Sequence, residues 1–260
     1  MSSLLGLRIG SGTDPGKVRT HNEDALYTDS DRSLVVVADG MGGHKAGDVA
    51  SKMTVQTVAE AFATTGDERT QTGRWRIFQR KQTVRDRLVD AIKRANRVVL
   101  DTARRRPECK GMGTTVVAAC LDDGTLYFAH VGDSRLYRMR DGELEQLSED
   151  HSLLNEYLRL GVIKDENAAR FPYKNIIVRA LGLSPTVDVD AGQDTPRVGD
   201  RYLLCSDGLT DLVDDAAIAA ELERSGDPDT IAVGLIEAAL AAGGLDNVTA
   251  VVADVIVEVP

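Results

Sequence analysis

The sequence predicts an α+β fold in which two antiparallel sheets pack together with helices outside. Three observations predict it. Short apolar runs in the middle of the chain are joined by Asp122-Asp123-Gly124 and Asp141-Gly142, and Asp-Gly between such runs signals a hairpin. Helical periodicity stands before and after this block. Strict strand–helix–strand alternation is absent, which argues against a doubly wound parallel sheet.

The elements follow in order. Leu34-Val35-Val36-Val37-Ala38 is a β-branched run that suits a buried strand, and it stops at Asp39-Gly40-Met41-Gly42-Gly43. A helix begins near Ala46, with Val49, Met53, Val55, Val58 and Phe62 as its apolar face. A second helical segment runs from about Phe78 to Ala103, striped by Leu88, Ile92, Ala95 and Val99. Strands are expected at Thr115 to Leu121, Leu126 to Val131, Arg135 to Arg140 and Glu143 to Leu147. Ser148 to Gly161 reads as a helix capped by Ser148, and Arg170 to Leu183 as irregular chain. Arg201 to Cys205 is a strand, Asp214 to Leu222 and Asp229 to Ala242 are helices, and Val248 to Val257 closes the fold as a strand.

No repeat, low-complexity stretch or Pro/Gly-rich linker interrupts the chain, so one domain over residues 1–260 is expected. With 42% apolar and 28% charged residues, an ordinary globular composition, the bulk cannot be disordered. Aromatics are only 4%, so Val, Leu, Ile and Ala must build the core. The 31 Lys+Arg against 41 Asp+Glu, a net charge of -10, argue against a nucleic-acid partner. The basic stretch from Arg74 to Arg106 reads as a solvated helix face. No apolar run reaches the roughly 18 residues of a membrane helix, and the N-terminus lacks signal-peptide features. The cytoplasm is the expected location. Three widely spaced cysteines, Cys109, Cys120 and Cys205, contain no C-x-x-C, and the four histidines have no zinc-ligand spacing. Gly40 to Gly47 lacks the glycine that a dinucleotide loop requires where Lys45 stands.

One arrangement recurs: a strand delivers an Asp at its end beside a small residue. It occurs at Asp39-Gly40, Asp133-Ser134 and Asp207-Gly208, while Asp246-Asn247 and Asn22-Glu23-Asp24 precede strands. Asp and Gly are also the commonest turn residues, so each site alone is accounted for by turn chemistry. Five in one β-rich chain suggest convergence. Converging carboxylates raise each other's pKa and cannot all stay ionised. Hard divalent ions such as Mg2+ or Mn2+, ligated by carboxylates, a backbone carbonyl and water, remove the conflict. Two such ions a few ångström apart would activate a water for attack on phosphorus.

Six motifs stand in an ordered series: Arg19-Thr-His-Asn-Glu-Asp24, Val37-Ala-Asp-Gly-Met-Gly-Gly-His44, Gly111-Met-Gly-Thr-Thr115, His130-Val-Gly-Asp-Ser-Arg135, Ser206-Asp-Gly208 and Asp246-Asn-Val-Thr249. Together they resemble the metal-dependent Ser/Thr protein phosphatases of the PP2C (PPM) family in its bacterial form, from about residue 8 to residue 256. The resemblance implies a four-layer αββα sandwich with two Mn2+ or Mg2+ ions and a third-ion position. It implies that Asp39 bridges the ions, Gly40 offers its carbonyl, and Asp207 and Asp246 hold the second ion. Asp133 with Asp207 matches the third position, and Glu23 and Asp24 meet the metals directly or through water. Arg19 matches the phosphate-clamping arginine, whose planar fork suits a phosphate dianion.

Met41 stands where eukaryotic members carry a proposed general-acid His, which leaves the proton donor open. His44 and His130 read as structural. His151 stands where the family's flap begins, taken as 148–173, and Arg179 is expected to support the site from behind. The implied activity is hydrolysis of phosphoserine and phosphothreonine in proteins. A Hanks-type kinase and its substrates are the implied partners, and the chain is expected to act as a monomer away from membranes. The alternatives are a catalytically silent binding or regulatory module and a phosphoesterase with a non-protein substrate.

Overall fold

A computed structural model describes residues 5–42, 46–63, 82–164, 171–173 and 176–258. His44, the start of the second expected helix and part of the expected flap lie outside them. One sheet has the order β1 (Leu5–Asp14), β11 (Val248–Val257), β10 (Arg201–Cys205), β7 (Arg135–Arg140), β8 (Glu143–Gln146). The other has β2 (Asp24–Asp29), β3 (Leu34–Met41), β5 (Val116–Asp122), β6 (Thr125–Val131), β9 (Asp190–Asp194), with β4 (Gly113–Thr114) pairing to the end of β3. All pairings are antiparallel.

Strand alternation explains why the central strands are apolar on every residue. In β3, Leu34, Val36 and Ala38 pack under α1 (Ala46–Ala63) and α2 (Val84–Arg105) with Val58, Leu88 and Ile92. Val35 and Val37 point the other way, against Leu136, Tyr202, Leu204 and Val251 of the facing sheet. In β10, Leu203 and Cys205 turn outward beneath α5 (Asp215–Leu222) and α6 (Pro228–Ala241). Three apolar layers therefore separate four layers of structure, αββα. A strand buried on both faces has no polar side to show.

Several boundaries differ from expectation. The second helix starts at Val84, where Thr83 and Asp86 form a capping box. The helix expected from Ser148 is the shorter α3 (Leu153–Arg159), capped by Ser152. Ser148 is engaged elsewhere, its Oγ accepting from the Leu136 N–H at 2.9 Å. β9, Asp-Ala-Gly-Gln-Asp, is an edge strand whose polar composition hid it. β1 pairs over its whole length with β11. The short α4 (Asp207–Thr210) begins directly at Asp207.

Candidate metal centre

The site lies at one end of the sandwich. The β2–β3 register sets Asp24 opposite Asp39. The Asp39 backbone is held on both sides: its N–H donates to Thr115 Oγ1 at 3.0 Å, and its C=O accepts from the Thr115 N–H and Thr114 Oγ1, each at 2.8 Å. Gly40 donates its N–H to the Glu23 carbonyl at 3.1 Å. A Cβ on Gly40 would run into the Gly47 and Glu23 carbonyls, and one on Gly47 into the Glu23 carboxylate. Close backbone approach therefore demands both glycines.

The second sheet contributes from its matching end. Ser206 Oγ and Thr249 Oγ1 both donate to Asp24 Oδ2 at 2.7 Å, tying β10 and β11 to β2. Asn247 accepts from the Glu23 N–H at 2.7 Å and donates to the Pro15 and His21 carbonyls at 2.9 Å each. It staples the segment that carries Arg19 to the start of β11. Arg19 Nη2 donates to Asp246 Oδ2 at 2.7 Å, and both side chains are largely open to solvent.

The electrostatics of this end are those of crowded carboxylates. Burial, then the charges of Asp24, Asp207 and Asp133, push the Asp39 carboxyl well above its usual range. Burial also lifts Asp24 to about 7, although the Thr249 and Ser206 hydroxyls oppose the shift. Burial, then Asp207 and Asp150, lifts Asp133 to about 7. Asp207 rises to about 6 through burial and the charges of Asp211 and Asp246, against the hydrogen bond from Asp39. Glu23 is raised by burial. Asp24 Oδ1 and Asp133 Oδ1 are buried without a hydrogen-bond partner among the described residues. Oxygens of this kind, orphaned within a group of one sign, fit a hard divalent cation.

Comparison with known proteins agrees. The protein phosphatase 2C family matches residues 12–229. The chain belongs to the protein phosphatase 2C family. Among its relatives, the serine/threonine phosphatase stp of Listeria innocua is 38% identical over 240 residues, 91% of each chain. A crystal structure of the Mycobacterium tuberculosis phosphatase PstP superposes with a TM-score of 0.83 at 38% identity, covering 96% of this chain and 98% of that one. The PstP catalytic domain in complex with two manganese ions gives a TM-score of 0.82 at 37% identity, over 97% and 100% of the two chains.

Within this PP2C-family fold, Asp24, Asp39, Asp133, Asp207 and Asp246 form one electrostatically linked group with Glu23 beside it. Sequence reasoning passed over Asp211, whose charge acts on both Asp133 and Asp207. Its spacing of four from Asp207, one helical turn, was the available signal. It also left Ser206, Asn247 and Thr249 without roles, although all three stand in the quoted motifs.

Arg179 lies away from the carboxylates. Its Nη1 donates to Asp190 Oδ1 at 3.0 Å. His151 Nδ1 accepts from the Gly132 N–H at 3.0 Å, so its proton sits on Nε2, against Asp190 Oδ2 at 3.1 Å. Arg179 and His151 are thus joined through the Asp190 carboxylate, and His151 in turn holds the Gly132 N–H beside Asp133. His130 stacks on His151 with centroids 4.9 Å apart. It is buried as a core histidine would be, and Nε2 meets the Glu149 carbonyl, but Nδ1 has no partner among the described residues. His130, His151 and Asp190 bring ligand atoms within 4.8 Å of one another. There the Arg179 guanidinium already supplies the positive charge. All three cysteines are buried and unpaired.

Proposed function

We propose that the chain is a metal-dependent phosphatase that removes phosphate from serine and threonine residues of proteins. The observation that carries this reading is the buried carboxylate group at the sheet ends, with oxygens that nothing in the described chain satisfies. Asp39 would bridge two ions, Gly40 would offer its carbonyl, and Asp207 and Asp246 would complete the second position. Asp133, with Asp207, suits a third. Asp24 has one oxygen committed to two hydroxyls and one left for an ion or its water; Glu23 flanks it. Bound Mn2+ or Mg2+ would let these groups ionise together and supply the Lewis acidity for phosphoester hydrolysis.

The chain's own contribution is placement. Thr114, Thr115, Ser206 and Thr249 hold the carboxylates in register, and Asn247 fixes the Arg19 segment. Arg19 uses only Nη2 on Asp246, so the rest of its fork is available to a phosphate. Met41 has no proton to give, so another group protonates the leaving oxygen. We take residues 1–260 as one phosphatase unit with its flap at 148–173, acting as a monomer in the cytoplasm on the substrates of a Hanks-type kinase. No helix among the described residues is long and apolar enough to cross a membrane.

The test is hydrolysis of p-nitrophenyl phosphate by the full chain. Mn2+ should be required, chelator should abolish turnover, and Asp39→Asn should collapse it. Full activity in chelator, or in the variant, would overturn the mechanism.

A further inference from the structure

The catalytic end is acidic, yet one corner beside it has the opposite sign. Residues 93–110 carry seven Lys or Arg, namely Lys93, Arg94, Arg97, Arg104, Arg105, Arg106 and Lys110, against Asp101 and Glu108. All seven are exposed. None forms an ion pair among the described residues. Elsewhere the described arginines are engaged: Arg8, Arg32, Arg135, Arg138, Arg140 and Arg201 each hold a carboxylate. In a chain with ten more acidic than basic residues, seven neighbouring cations without internal partners stand out. Cations in the last turn complement the helix dipole. That accounts for Arg104 and Arg105, but not for Lys93, Arg94, Arg97 or Lys110, which lie outside the last turn.

The corner adjoins the site. Past the end of α2, the turn Pro107–Cys109 and Lys110 lead into Gly113–Thr114, which pairs with Gly40 and Met41 directly after Asp39. Lys110 is three residues from Gly113, at most about 10 Å of chain. Met112 packs against Gly42, and a Cβ on Gly42 would come to 2.9 Å from its Cα. This corner is therefore within a few residues' reach of a polypeptide whose phosphorylated residue meets the carboxylates.

We propose that the exposed face of α2 and the turn after it form a docking surface for an acidic segment of the phosphoprotein substrate, several residues from the phosphorylated one. The inference rests on the phosphatase reading and adds a substrate class to it. A neutral or basic segment gains nothing here and meets an otherwise acidic protein. An acidic segment is repelled by most of the surface and attracted at this corner, so the charge pattern also orients it.

The test compares wild type with Arg104→Glu/Arg105→Glu/Lys110→Glu, with Arg104→Gln/Arg105→Gln as the milder variant. All would be full chains with Mn2+, checked for an unchanged melting temperature. Substrates are p-nitrophenyl phosphate, too small to reach the corner, and two phosphothreonine peptides with Asp or Asn triplets about four to six residues away on either side. Wild type should prefer the Asp peptide through KM. The triple reversal should raise that KM about tenfold and erase the preference, with an intermediate effect in the neutral variant and p-nitrophenyl phosphate turnover unchanged. The wild-type preference should fade as salt rises. No preference in wild type, or one that survives charge reversal, overturns the proposal. So does loss of binding to an anionic vesicle or a DNA duplex in the variant with peptide kinetics unmoved. Wild type inactive on p-nitrophenyl phosphate would instead overturn the phosphatase reading itself.

Discussion

The two ends of the sandwich hold aspartates in opposite ways. At the end away from the proposed metal centre, Asp194 meets Arg138 at 2.7 Å, Asp200 meets Arg140 at 2.6 Å, and Asp254 meets Arg201 at 2.6 Å and Arg8 at 2.8 Å. Asp200 and Asp254 are 3% and 8% exposed, so these carboxylates are as buried as Asp24 and Asp133 at 5% and 7%. The difference is the counter-charge. One end neutralises its carboxylates with arginines of the same chain. At the other, Arg19 holds Asp246 at the rim and Arg135 is committed to Asp150, so among the described residues no cation pairs with the inner carboxylates. The same residue type, at opposite ends of one sandwich, is neutralised by arginine in one place and lacks a counter-charge among the described residues in the other.

The comparison can be broken from either side. The largest effect is expected from Asp39→Asn, which should cut Mn2+-dependent turnover roughly a thousandfold or more. In chelator the same variant should melt no lower than wild type, because burial and its acidic neighbours already hold the metal-free Asp39 carboxyl protonated and Asn replaces it with a neutral group of similar shape. A lower melting temperature would mean that Asp39 is structural after all. Next comes the other end. Asp254→Ala leaves the largely buried Arg201 guanidinium with carbonyl partners but no counter-charge and should cost about 2–4 kcal/mol in urea unfolding, with kcat on p-nitrophenyl phosphate intact. A kcat loss with unchanged stability would reverse the assignment of the two ends.

A smaller effect is expected at the rim. Arg19→Ala should raise KM for p-nitrophenyl phosphate roughly tenfold to a hundredfold, with Arg19→Lys recovering only part. An unchanged KM would count against the clamp. A pH trend tests the same contrast without mutation. Asp24, Asp133 and Asp207 titrate near 7, 7 and 6 in the folded metal-free chain, above the unfolded value near 4. The folded state binds more protons in that window, so metal-free stability should fall as pH rises from about 4 to about 7. Mn2+ should flatten or invert that slope. Melting curves across this range, with and without metal, would show it.

The layered fold was legible because alternation and apolar runs leave strong local signatures: Leu34 to Ala38 reads as a buried strand and Val248 to Val257 as a closing strand. The polar edge strand β9 did not, because its residues satisfy no core pattern and its pairing with β6 is long-range. Ser148 shows the same limit. It fits a helix cap by type, but tertiary contact gave its hydroxyl to Leu136 and moved the cap to Ser152.

Residue order alone determined two packed antiparallel sheets with helices outside, through local pattern, and the family, through its ordered motifs. Only the tertiary structure decided which carboxylates stay uncompensated, because among the described residues arginines distant in the chain reach Asp194, Asp200 and Asp254 but not Asp24, Asp39 or Asp133. Charge balance is a property of neighbours in space, and those neighbours are up to 246 residues apart along the chain.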